Sequence, residues 1–343
     1  MEAASLRPEA CAVCHEARYA EWKGALHSRS VGPGLTFQLD PAVDPEFYSS
    51  CLFCHAPLSS QSEVIDEVEG GYSENPLFDA TLMRSGVSCA ACHVRSGVVY
   101  GPVTPMEGRD TPASHPTSPA PLFADPEFCA ACHQLDRGYG FSGRPLMNTY
   151  REWEQSGYRE KGITCQKCHM PGRRHLFKGI HDLATVRGGV SVEAERQGDG
   201  VLLRVENTGV GHYFPTYATP LVVIRGFQAD GQGKEVEASA KESYIGRQVN
   251  LDLSEELFDT RLAPGEAVAF KYDRPLKSGS RAIVLEVVVY PDEFYERFYE
   301  NALRLDDMKE RESEIREALA VVKSSSYHLF RRKFLLRGEA AID

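Results

Sequence analysis

One short pattern recurs five times and constrains this chain more than any other feature. Cys-x-x-Cys-His stands at residues 11–15 (CAVCH), 51–55 (CLFCH), 89–93 (CAACH), 129–133 (CAACH) and 165–169 (CQKCH), and the five copies use all ten cysteines. The pattern is the attachment signature of c-type haem: two thiols add across the porphyrin vinyl groups, and the adjoining histidine is placed to ligate the iron. The reading is five covalently attached haem c groups, held by Cys11 and Cys14, Cys51 and Cys54, Cys89 and Cys92, Cys129 and Cys132, and Cys165 and Cys168. His15, His55, His93, His133 and His169 are then the proximal iron ligands. Zinc sites pair Cys-x-x-Cys units two by two or recruit distant histidines, whereas five is odd and each unit carries its own histidine. Thioredoxin-like pairs need βαβ surroundings, and a disulfide framework has no use for the histidines.

The motif starts lie 40, 38, 40 and 36 residues apart, so the first half is a loose repeat with one haem per unit. A unit of fewer than about 40 residues cannot bury a sufficient core of its own. The haems are therefore expected to be the core, packed within electron-transfer reach of one another.

Six histidines remain for five distal positions: His27, His115, His175, His181, His212 and His328. Two histidines on one iron close it to substrates and suit electron transfer; an iron without a sixth ligand is a candidate active site. His27 lies in EWKGALHS, an amphipathic helical stretch, and a matching EWEQSGYR in the fifth unit puts Tyr158 where His27 stands. His115 lies in TPASHPTSPAP, a stiff loop expected to be neither helix nor sheet. His175 and His181 sit six apart in RRHLFKGIHDL. His212 is held in VGHYFPT, where Gly211 permits tight geometry, Pro215 stiffens the exit, and Tyr213 and Phe214 can cover a porphyrin edge. These five are the expected distal ligands. His328, in SSSYHLFRRKFLL, alternates like a strand residue and is the expected spare. Met106 is a weaker alternative ligand, and Met170 follows its own proximal histidine too closely to serve that haem.

From residue 186 to about 290 the pattern changes to period two: VSVEAE, VLLRVEN, LVVIRGFQ, KEVEASA, AVAFKYD and AIVLEVVVY, separated by turn signals such as QGDG, ADGQGK and APGE. Six or seven short antiparallel strands predict an immunoglobulin-like sandwich. Helical spacing follows over about 292–323, with Phe294, Phe298, Ala302 and Leu305 on one stripe and Ile315, Leu319 and Val322 on another. YHLFRRKFLL reads as a strand returning to the sandwich. The predicted fold class is α+β: a mostly irregular and helical pentahaem domain at 1–185 with little β, then a sandwich domain at 186–343 with a helical segment and a final strand.

The formal net charge of −11 argues against nucleic acid and anionic membranes as partners. No apolar run approaches the roughly 18 residues of a membrane span. MEAASLRPEA has neither a basic start nor an apolar stretch, so a signal peptide is not read there and any such leader is expected to have been removed.

With these residues in hand, the chain resembles bacterial multihaem c-type cytochromes, the group related to hydroxylamine oxidoreductase and pentahaem nitrite reductase. The resemblance rests on EW-x-x-x-x-H after a first haem motif, SHP before CAACH, CQKCHMP, and VGHYFPT followed by strands. It covers essentially the whole chain, but only the haem motifs are highly specific. Pentahaem nitrite reductases carry lysine in place of the motif histidine at the active haem, and no motif here ends in lysine, so the resemblance does not imply that activity. Hydroxylamine-oxidising relatives carry more haems and a crosslinked tyrosine. The resemblance also implies export, because c-type haem is attached outside the bacterial cytoplasmic membrane, and hence a periplasmic or cell-surface location.

The leading expectation is a carrier that passes single electrons along five packed haems between redox partner proteins or terminal acceptors, with no catalytic residue. One alternative is an oxidoreductase with one open haem acting on a small nitrogen or sulfur species. Another is self-association into an oligomer or conducting filament, with a spare histidine ligating a neighbour's haem.

Overall fold

The computed structural model describes residues 5–103, 115–136, 138–141, 143–198 and 200–336; Met106 lies outside them. Its described residues form two compact units that interleave along the chain. One takes in residues of Met1–Cys132, Gly162–Lys178 and Ala302–Ala318, the other His133–Lys161, Gly179–Asn301 and residues from Leu319 onward. The units therefore do not coincide with two consecutive segments meeting at residue 185.

In the first unit the chain turns mostly through short helices, and each haem motif lies on one: Pro8–Lys23, Pro45–His55, Cys89–His93, Glu127–His133 and Cys165–His169. Proline opens the first two, where its missing N–H costs nothing. Asp44 caps the second by accepting from Phe47 N at 2.9 Å. Val31, Leu39, Tyr48, Leu52, Ala56 and Met83 form a small apolar cluster around the second motif. The first helix closes at Lys23 with Gly24 as its cap, so His27 sits in a separate 3₁₀ turn, Leu26–Arg29. The segment carrying His115 is not purely loop. Thr117–Pro119 pairs in parallel with Val98–Gly101, with Pro119 opposite Gly101, as an edge strand that tolerates proline.

The second unit holds the sandwich. Among the described residues one sheet runs Glu256–Asp259, Lys241–Val249, Leu221–Ala229, Ala282–Tyr290, Tyr327–Leu335, and the other Ala267–Tyr272, Gly200–Asn207, Val190–Gln197, with every neighbour antiparallel. Val201, Leu203 and Val205 alternate inward from one sheet to meet Val222, Ile224, Ile283, Leu285 and Val287 of the other. Each such burial contributes about 1.5–3 kcal/mol, and the ladder registers fix which face turns inward.

Two expectations are corrected here. KEVEASA is not a strand: Ala238 takes a left-handed φ of 52° and breaks the extended run after one bridge between Ala229 and Glu235. The strand is the next segment, Lys241–Val249. The apolar stripe from Phe294 also stops short, because the helix ends at Ala302 and leaves Leu305 exposed. The α+β class, the sandwich and the returning strand Tyr327–Leu335 are as read from the sequence.

Candidate functional site

Cysteines three apart on a helix put both thiols on one face, one turn apart, with the motif histidine just beyond. Four of the motif helices end at that histidine; in the first, the helix continues past His15 through a kink where φ is −118° and ψ 39°. His55 Nδ1 donates to Ser30 O at 2.8 Å, His93 Nδ1 to Tyr100 O at 2.8 Å and His169 Nδ1 to Lys178 O at 2.6 Å. A carbonyl only accepts, so the proton sits on Nδ1 and the lone pair on Nε2, the form in which an imidazole ligates a metal. His133 Nδ1 makes the corresponding bond to a side chain, the hydroxyl of Tyr217.

Two of the expected distal histidines face motif histidines. The rings of His15 and His115 have centroids 6.1 Å apart, and so have those of His93 and His175. Two imidazoles each bound about 2 Å from one metal ion would have their centroids about 6 Å apart, so the spacing of both pairs would suit two ligands of one ion. His115 Nδ1 lies 3.3 Å from both Pro116 O and Thr117 Oγ1. Phe123 stacks on His93 at 4.8 Å, and Phe177 meets His175 edge-on at 5.9 Å.

Burial disfavours the charged form of three of these histidines. Burial, helped by the neighbouring His93 and Arg18, pushes His175 down to about 4, and among the described residues its buried Nδ1 has no hydrogen-bond partner. Burial likewise lowers His93 and His27. Glu21 accepts from His175 N and Arg174 Nε, both at 2.8 Å. Burial would raise its pKa, but these donors and Arg18 hold it at about 2.

His27 packs against Phe177 at 4.4 Å, and its carbonyl accepts from Val87 N at 3.0 Å. Ser30 Oγ donates to His55 O at 2.7 Å. Gly86 sits against this turn with φ at +59°, and a Cβ there would lie 2.3 Å from Ser30 Oγ and 2.6 Å from His27 O. Only glycine fits, and it ties His27, His55 and the approach to the third motif into one knot.

In the second unit His212 Nδ1 donates to Tyr213 O at 2.8 Å, and the Phe214–Pro215 bond is cis. Gly211 lies against the ring of Tyr158, the residue that the internal repeat aligns with His27. His181 is placed differently: its Nε2 lies 2.9 Å from Asp292 Oδ2. His328 is half-exposed on the edge strand, 3.8 Å from Glu286.

Among the described residues no cysteine is in a disulfide. The thiols of Cys11 and Cys89, Cys54 and Cys132, and Cys129 and Cys165 lie near enough to perturb one another's ionisation. Cys132 also acts electrostatically on Cys92, whose thiol burial pushes up to about 11. Paired thiols beside imidazoles are the donor types that covalently attached haem c would use. Tyr217, Ser30, Gly86 and Glu21 escape the sequence reading, since their roles depend on partners far along the chain.

Comparison with known proteins agrees with this chemistry. The family model "Cytochrome c554 and c-prime" matches residues 10–94. No curated protein matches the chain. Among solved structures, a penta-heme cytochrome c552 from Thermochromatium tepidum is similar over 95% of this chain and 98% of its own, with a TM-score of 0.63 and 18% identity, and the two share a fold. A putative ApaA protein from Bordetella pertussis, 18% identical, aligns over 29% of this chain and 74% of its own with a TM-score of 0.15.

Proposed function

We propose that this multihaem c-type cytochrome moves single electrons along five covalently bound haems between redox partner proteins or terminal acceptors. Bound haem supplies the reversible ferric–ferrous couple; the chain's own residues attach, ligate and space it. The observation that carries the reading is the nearness of the motifs. Cysteines of the first and third motifs, the second and fourth, the fourth and fifth, and the third and fourth lie within electrostatic reach of one another. Each thiol marks a porphyrin edge, so this nearness supports one connected relay with the fourth motif as its branch point.

On this reading His115 serves the iron of His15, and His175 serves that of His93, supported by the two 6.1 Å ring pairs. His27 and His212 supply two of the remaining sixth ligands. Division by role still falls at residue 185, with every haem motif upstream and the sandwich strands downstream. Export follows from where c-type haem is attached, giving a periplasmic or extracellular protein.

One observation favours a second reading. His181 commits its Nε2 to Asp292, so it serves an iron only by giving up that bond. If it stays and His328 does not take its place, one haem is open, and the protein becomes an oxidoreductase for a small nitrogen or sulfur species. Electron paramagnetic resonance of the oxidised holoprotein separates the two. Five low-spin irons are expected for the relay; a high-spin iron that shifts with nitrite, hydroxylamine or sulfite establishes the second reading. Fewer than five attached haems by mass overturns both.

A further inference from the structure

Three of the anchored motif histidines give their Nδ1 proton to a backbone carbonyl, and the fourth does not. His55, His93 and His169 donate to Ser30 O, Tyr100 O and Lys178 O. His133 instead bonds the phenol of Tyr217, with the two ring planes 5° apart and their centroids 6.3 Å apart. The phenol oxygen thus lies in the imidazole plane, where the Nδ1 proton points.

The loop behind Tyr217 is fixed. Thr216 Oγ1 donates to Glu152 Oε2 at 2.7 Å, and Tyr213 N donates to the same oxygen at 3.1 Å. Arg261 closes the arrangement, donating to Glu152 Oε1 at 2.8 Å and to Thr216 O at 2.7 Å. The side chains of Arg261 and Glu152 are 5% and 4% exposed, so the pair is shielded from water and the hydroxyl is held in place rather than free to swing.

We infer that Tyr217 is a positioning residue that gives the iron of the fourth motif a higher reduction potential than those of the second, third and fifth. The inference rests on the reading of that motif as a haem site. A partner that accepts the Nδ1 proton makes the ligating nitrogen more basic, which favours ferric iron. A phenol oxygen is a weaker acceptor than an amide carbonyl and has a proton of its own to place. His133 is then the least basic of the four ligands, and its iron is the last of the four to give up an electron. At the branch point of the relay, that makes the fourth site the place where electrons pool.

The test is a spectroelectrochemical titration of the holoprotein and of Tyr217→Phe, which keeps the ring and removes the acceptor. Five haems and the same number of low-spin irons are expected in both, with one fifth of the absorbance change moved to higher potential in the variant. Tyr213→Phe, in the same loop, serves as control. A Tyr217→Phe curve that superimposes on wild type, or an equal shift in Tyr213→Phe, overturns the inference. An unmodified Cys129 and Cys132 in the wild-type peptide map removes the haem reading of that motif, and the inference with it; a full haem complement with an unmoved curve removes the inference alone.

Discussion

Among the described residues, the sandwich unit buries a continuous apolar cluster of nineteen residues, while the cluster around the second haem motif has six. The contrast extends to polar groups. In the sandwich, buried polar side chains are closed by the chain itself: Gln228 Oε1 accepts from Lys277 N and Ser280 Oγ while its Nε2 donates to Tyr272 Oη and Pro275 O. In the motif unit, half-buried His175 keeps a buried Nδ1 with no partner among the described residues, and thiols of separate motifs lie near enough to perturb one another. One region is finished by its own side chains, and the other is arranged around groups that the chain must acquire.

The widest test of that contrast is the chain produced without haem attachment. We expect circular dichroism to keep the strand signal and lose helix, and limited proteolysis to degrade the motif segments while sparing the strands between residues 190 and 335. Loss of the strands as well would break the comparison. Next in size, His115→Ala and His175→Ala should each convert one iron from low to high spin with five haems still attached, since the thioether links do not involve the distal side. An unchanged low-spin count in both removes the pairings with His15 and His93.

Smaller effects sharpen the sandwich side. Glu152→Ala removes one of the two carboxylates on buried Arg261 and leaves Asp259 as the other, and should cost about 1–3 kcal/mol in denaturant unfolding. The smallest effect is in acid. Burial would raise the pKa of Asp259, but the guanidinium of Arg261 outweighs it and holds the carboxylate below its usual range. That contribution is present above about pH 4, where the unfolded group is already ionised, and fades as pH falls through the lowered folded value. Asp259→Asn should flatten the acid limb of the stability curve and lower stability at neutral pH; an acid limb as steep as wild type would show that Asp259 does not contribute to it.

The haem motifs and the sandwich were legible because each is written in local spacing: three positions from one thiol to the next, two from one inward-facing strand residue to the next. What escaped depends on distant partners. Lys241–Val249 reads as polar, yet Arg247 within it is 1% exposed, satisfied by Glu256 on the neighbouring strand and by the carbonyls of Arg144 and Pro145. The partnership of His15 with His115 could not be read, since no periodicity states which loop returns to which motif. His181 looked as good a ligand as His175 until Asp292 appeared beside it. Tyr217 carried no signal beyond its place two residues after Pro215.

The nearness of these thiols also bears on how such a protein is made. Cys11 and Cys89, two motifs apart, perturb each other's ionisation, as do Cys54 and Cys132. In an oxidising compartment, thiols of separate motifs left free are open to oxidation into a shared disulfide, which would bar a porphyrin from both. If the motif segments pack only around the groups they bind, attachment and folding are one event: each thiol pair is alkylated by the vinyl groups while its segment is still open.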